Sequence, residues 1–84
     1  MNTAADLRDR FKSPTVKLED ICVEFFGMAK EKAYQHAALN GLPVPTFRAG
    51  SQKSPRLVHV DDLAKWLDEQ RTAARLEWER TKAA

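Results

Sequence analysis

The sequence has few of the residues with which small proteins build covalent or metal-based cores. Its 84 residues include one cysteine, Cys22, and two histidines. A single cysteine excludes an internal disulfide framework and is typical of a reducing compartment, so we expect a cytoplasmic protein. One cysteine and two scattered histidines also lack the spacing of zinc ligands. The sequence therefore predicts neither a metal site nor a cofactor.

Long apolar runs are missing as well. No stretch approaches the roughly 18 apolar residues that a membrane span requires, and MNTAADLRDRF at the start has acidic residues where a signal peptide has an apolar block. We therefore expect no membrane partner. Apolar residues still make up 43% of the chain, which suffices for one small folded domain. We expect residues 1–84 to form that domain, with 1–13 as an N-terminal arm and 72–84 as an extension of the last helix.

Glycine is scarce too, and its positions argue against a phosphate-binding loop. The three glycines lie apart, each at an expected turn. Cys22 lies on an apolar helix face with no histidine near it in sequence, so burial explains it better than a nucleophilic role. Asp61 and Asp62 are explained as the acidic start of a helix. We assign no catalytic residue and do not expect an enzyme.

Positive charge is concentrated in the middle third of the chain. Residues 28–60 contain five basic side chains and one acidic side chain, a net charge of +4, whereas residues 1–27 and 61–84 each sum to −1. Segregated basic charge on a small domain is typical of a surface that binds polyanions. A solvated loop that happens to be basic is the alternative interpretation.

Two short helices separated by a tight turn are expected in the first half of the chain. Leu18–Phe26 has apolar residues at helical spacing, Gly27 breaks the pattern, and a second helix follows over residues 29–40 until an Asn–Gly pair stops it. Helix, tight turn and helix have the dimensions of a helix-turn-helix. A further helix within residues 1–12 and an extended segment at 15–17 are expected ahead of them.

A hairpin and a last helix complete the predicted fold. Residues 46–48 and 56–60 favour strands, and the residues between them are polar. Asp61 is expected to cap the last helix, whose apolar stripe begins at Leu63. The predicted fold class is therefore α+β and mostly helical, a small winged helix-turn-helix with a β-hairpin wing and a C-terminal helix.

The second helix and the hairpin loop contain the residues that we expect to bind DNA. A helix of this length fits the ~12 Å major groove, where amide and imidazole groups reach base edges and lysines meet phosphates. The loop offers cations and neutral donors without a competing carboxylate. An ordinary surface helix beside a solvated loop is the alternative. The expected DNA-binding residues are Lys30, Lys32, Tyr34, Gln35, His36, Arg48, Ser51, Gln52, Lys53, Ser54 and Arg56.

Three segments resemble a known protein family. LEDICVEFFGMAKEKA, LPVPTFR and SQKSPRLVHVDDLAKWLDEQR are similar to the pyocin activator protein (PrtN) family, over about Pro14 to Trp78. The most specific parts are LPVP-x-FR and SQKSP-x-LVH-x-DDLA. More distantly, the layout resembles the excisionase and AlpA class of winged helix-turn-helix proteins, which are also phage regulators.

The resemblance implies a bacterial transcriptional activator that binds duplex DNA sequence-specifically upstream of phage-derived or bacteriocin-type genes. It also implies that the helix after Gly27 is the recognition helix, that Gln52 and Lys53 lie in the wing, and that RNA polymerase is a further partner. One recognition helix covers few base pairs, so we expect a homodimer or cooperative assembly on DNA. Two alternatives stay open: an excisionase-like architectural protein that bends DNA, and a protein-interaction module that uses Leu76 and Trp78.

Overall fold

The computed structural model describes residues 2–51 and 53–83, and within them it confirms the expected fold class. The fold is mostly helical and α+β, with a three-stranded antiparallel sheet that includes the hairpin wing and with a long C-terminal helix. The elements in chain order are α1 (Thr3–Phe11), β1 (Thr15–Lys17), α2 (Leu18–Phe26), α3 (Lys30–Ala38), β2 (Phe47–Arg48), β3 (Arg56–His59) and α4 (Val60–Ala83).

The central strand of the sheet is β3. On one side it pairs with β2 as the expected hairpin, with Arg48 opposite Arg56. On its other side it pairs with β1, and Val16 lies opposite Val58. The sequence predicted an extended segment here but not its pairing, because three residues are too few to show an alternating pattern. Since α2 begins directly after β1, this third strand ties the hairpin to the start of α2.

The core lies where α2, α4 and the sheet meet. Leu18, Ile21, Cys22, Val58 and Leu63 are at most 1% exposed. Burial of each aliphatic side chain stabilises the fold by about 1.5–3 kcal/mol. The buried position of Cys22 confirms that it belongs to the apolar face of α2.

The start of α4 differs from the prediction. The sequence predicts a strand through Val60 and a cap at Asp61, but the helix begins at Val60. The ring of His59 caps it instead, since Nδ1 accepts a hydrogen bond from the Asp61 backbone N–H at 3.0 Å. The Asp61 carboxylate accepts two bonds from the Arg8 guanidinium, at 2.6 and 2.7 Å. That carboxylate therefore joins α1 to α4 and does not cap the helix.

The recognition-helix candidate α3 is shorter than predicted and ends at Ala38. Asn40 takes the left-handed conformation that stops the helix, with φ +54°. The Gly41 N–H donates to the His36 carbonyl at 2.7 Å, which satisfies one of the last carbonyls of α3. The left-handed Asn40 and this hydrogen bond together end the helix.

The second half of α4 extends beyond the body of the protein. The helix has 24 residues, which corresponds to about 36 Å. Every side chain from residue 68 to residue 82 is exposed. Leu76 and Trp78 are 56% and 58% exposed. Trp78 follows the spacing of the apolar stripe that begins at Leu63, but it lies too far along α4 to reach the core.

Replacing Leu18 with alanine is expected to lower the free energy of unfolding by about 2–5 kcal/mol, because the side chain is completely buried. Leu39→Ala is the matched control, since it removes the same atoms from a side chain that is 84% exposed. The control is expected to change stability by less than about 0.5 kcal/mol. Urea unfolding followed by circular dichroism measures both, and equal losses would contradict this core.

Candidate nucleic-acid interface

A three-residue turn positions α3 on α2. Gly27 takes the left-handed conformation, with φ +65°, and ends α2 at Phe26. The Met28 N–H then donates to the Cys22 carbonyl at 3.1 Å. This pattern satisfies the last carbonyls of a helix and reverses the chain sharply. The turn is the break that the sequence predicted at Gly27.

The predicted DNA-binding residues of α3 lie on different sides of the helix. Its two buried alanines define the inner side. Lys32 and Gln35 lie away from that side and are exposed, whereas Tyr34 and His36 flank it and are half-buried. Among the candidate base-reading groups of this helix, the amide of Gln35 is therefore more accessible than the Tyr34 and His36 side chains.

Lys30 forms an ion pair with Glu19 of α2. Its Nζ lies 2.9 Å from Oε2 of Glu19. The hydrogen bond and the charge of Lys30 lower the pKa of Glu19, and the same hydrogen bond raises the pKa of Lys30. Spacing along the sequence does not indicate this ion pair, because the two residues meet through the packing of α2 on α3 and do not share one helix. A phosphate at Lys30 has to compete with this carboxylate.

The tip of the wing is a compact loop organised by Ser51. Its Oγ accepts a hydrogen bond from the Lys53 N–H at 3.2 Å, and its carbonyl accepts one from the Ser54 N–H at 3.0 Å. Gly50 has φ +133°, a backbone conformation that residues with a β-carbon rarely adopt. The side chain of Lys53 is exposed at this tip. Gln52 lies outside the described residues.

Two arginines face each other across the wing. Arg48 and Arg56 are partners in the β2–β3 register, an arrangement in which like charges repel. The Arg48 guanidinium donates to the Ser54 carbonyl, and Nη1 of Arg56 donates to Oγ1 of Thr46 at 3.1 Å. Both acceptors are neutral oxygens, so these two hydrogen bonds orient the guanidinium groups. Nothing in the sequence distinguishes Thr46 as the partner of Arg56, since a threonine at a strand end is common.

The structure thus gathers the predicted residues into two sets on separate elements, one on α3 and one on the wing. Within residues 2–51 and 53–83, no cluster of histidine, cysteine and carboxylate side chains has the geometry to hold a metal ion. None of the helices in this described part combines the length and apolarity needed to cross a membrane.

Comparison with models of known protein families shows to which family the chain belongs. The family model for pyocin activator protein PrtN matches residues 3–74, from the first residue of α1 into α4. The chain belongs to the PrtN family. No curated protein and no solved structure gives a significant match. Membership in the PrtN family indicates a regulator of pyocin genes, which is not a class of enzyme.

For this PrtN-family chain, we expect Lys30→Met to raise the pKa of Glu19 back toward its ordinary value of 4.5, because the mutation removes the hydrogen bond and charge that lower it. Lys32→Met is the matched control and should leave the pKa of Glu19 unchanged. An NMR titration of the Glu19 side-chain carboxyl measures both.

The sign of the pH dependence follows from the lowered pKa. The Glu19–Lys30 contact stabilises the fold above the ordinary glutamate pKa, and its contribution is lost as the pH falls through the lowered folded-state pKa. Glu19→Gln should therefore destabilise the protein at neutral pH, with a difference from the parent that shrinks in acid. A difference that does not depend on pH would contradict the pairing.

Proposed function

We propose that this protein is a sequence-specific DNA-binding activator of phage-derived or bacteriocin-type genes, with α3 in the major groove and the wing on the DNA backbone. The observation that supports it best is the hairpin, in which Arg48, Lys53 and Arg56 belong to one ribbon. No aspartate or glutamate occurs anywhere in residues 32–60. A protein surface with cations and no carboxylates attracts phosphates, which supply much of the affinity for DNA.

The dimensions and exposure of α3 suit the reading of bases. Its nine residues correspond to about 14 Å of helix, comparable with the ~12 Å width of the major groove. Gln35 can form the paired hydrogen bonds that distinguish adenine. Tyr34 and His36, at the flanks of the helix, are assigned to the edges of the contact, where a hydroxyl and an imidazole can reach a phosphate or a neighbouring base.

The cations are assigned to phosphates. Lys32 and Lys53 are exposed and serve as flexible point charges. Arg48 and Arg56 are half-buried, and their planar guanidinium groups are of the kind that suits phosphate contacts or a narrow minor groove. Lys30 joins them when DNA displaces Glu19. The neutral donors of the wing loop, which add hydrogen bonds to the backbone, are Ser51, Gln52 and Ser54.

RNA polymerase is the second partner that we propose, because the family consists of activators. Both partners place the protein in the bacterial cytoplasm. An excisionase-like protein of the same fold would bend its DNA strongly, so fluorescence energy transfer between the ends of a bound duplex distinguishes the two functions. A regulator of the proposed kind leaves the end-to-end distance almost unchanged.

Binding to a random duplex is expected to weaken by about 10²–10³-fold between 50 and 200 mM salt, as about four to six phosphate contacts require. Lys53→Gln should weaken all duplexes alike and reduce the salt slope by about one. Lys82→Gln, the same change in the last turn of α4, is the control and should do neither. Fluorescence anisotropy measures both quantities, and the absence of binding at 50 mM salt would reject the proposal.

Gln35→Ala is expected to reduce discrimination between the operator and a single-base variant by about 1–3 kcal/mol, because it removes a base contact. The operator is identified first, by selection from genomic fragments. Lys32→Gln is the comparison, since loss of a phosphate contact should weaken both duplexes equally and leave their ratio unchanged. If the Gln35→Ala variant keeps the parent's ratio of affinities for the operator and its single-base variant, Gln35 does not contact a base.

A further inference from the structure

The second half of α4 extends away from the body of the protein, and every side chain from residue 68 to residue 82 is exposed. In most proteins the stability of a helix comes mainly from the packing of an apolar face on another element, and within the described residues this half of α4 has no such packing. A groove with a volume of about 600 Å³ runs between this part of α4 and the start of α1. Its lining combines apolar side chains, among them Ala73 and Leu76, with charged ones, among them Asp68 and Glu69. The order of these charges along α4 indicates what covers the groove.

One face of α4 has a distinctive order of charges. Glu69, Ala73, Leu76 and Arg80 follow each other at i, i+4, i+7 and i+11, so they form a single stripe along the helix. The stripe begins with an acid, continues with two apolar residues and ends with a base. In the part of the chain that the structure describes, neither Glu69 nor Arg80 forms an ion pair.

A stripe with this order matches a copy of itself only in the antiparallel direction. An antiparallel copy brings its Arg80 opposite Glu69 and its Leu76 opposite Ala73, and two-fold symmetry repeats each contact. In the parallel direction, Glu69 would face Glu69 and Arg80 would face Arg80, which is repulsive. We propose that this stripe, from Glu69 to Arg80, is a self-association surface whose occupant is the antiparallel α4 of a second copy of this chain.

The other large exposed side chain of α4 does not belong to this stripe. Trp78 is two residues from Leu76, so it lies about 200° around the helix. Its ring is already covered on one face by Lys82, whose Nζ lies 4.6 Å from the ring centroid. The face of Trp78 also lacks the acid-to-base order. Trp78 therefore provides a matched control for Leu76, because the two side chains are 58% and 56% exposed.

Sedimentation equilibrium of the full chain from about 5 to 500 µM tests the proposal, a range chosen because so small an interface gives a micromolar dissociation constant. Leu76→Ala is expected to raise the dissociation constant at least about tenfold, since each dimer loses two leucine contacts. Trp78→Ala should leave it within about twofold. A parent chain that stays monomeric throughout, or a Trp78 variant that dissociates while the Leu76 variant does not, would overturn the proposal.

Charge reversal tests the antiparallel direction. Glu69→Arg and Arg80→Glu are each expected to weaken association several-fold, because each creates two like-charge contacts. The double variant restores opposite charges in both places and should return to the parent value. A double variant as weak as the single variants would exclude this pairing.

Self-association and DNA binding are separable in these tests. All the substituted residues are exposed on α4, so circular dichroism should show an unchanged fold. Leu76→Ala should bind a duplex too short for two copies as the parent does, because neither α3 nor the wing is altered. A failure of the parent chain to bind DNA would therefore not contradict the proposed self-association. A failure to self-associate would likewise not contradict the proposed DNA binding.

Discussion

The pairing of β1 with β3 is the constraint on which the rest of the structure depends. β1 leads directly into α2, and β3 leads directly into α4. Backbone hydrogen bonds between these two short strands therefore fix the two halves of the chain relative to each other, with Val16 and Val58 buried at the junction. The position of α3 follows from α2 through the turn at Gly27, and the position of the wing follows from β3.

The charged side chains of the two proposed DNA-binding elements are held in different ways. On the wing, Arg56 is oriented by the neutral oxygen of Thr46 and keeps its net charge. On α3, Lys30 is paired with a carboxylate, which lowers its attraction for a phosphate until the pair opens. The charge of Arg56 is thus present before any ligand binds, whereas the charge of Lys30 becomes available only when its pair with Glu19 opens. Under the proposed function, this difference favours a first encounter of DNA with the wing, followed by insertion of α3.

Local spacing along the sequence was enough to predict the helices, the hairpin and the break at Gly27, because each depends on residues close together in the chain. It could not predict contacts between distant segments. The pairing of β1 with β3, the bond between Arg8 and Asp61, and the contact of Glu19 with Lys30 all arise from packing. The exposure of Gln35 beside the half-buried His36 likewise depends on which face of α3 meets α2. The sequence therefore indicated a set of candidate DNA-binding residues, and the fold shows how exposed each described member of that set is.

No loop separates β3 from α4, since the strand ends at His59 and the helix starts at Val60. The wing and α4 are consequently joined without a flexible linker. Under the proposed pairing, the distance between the DNA-reading surfaces of two copies is counted in helix rise, about 1.5 Å and 100° per residue. A single residue inserted after Leu67 would turn the association stripe by more than a quarter of a circle without altering the proposed DNA-binding residues. If both proposals hold, the length of α4 sets the spacing of the two half-sites that a dimer recognises.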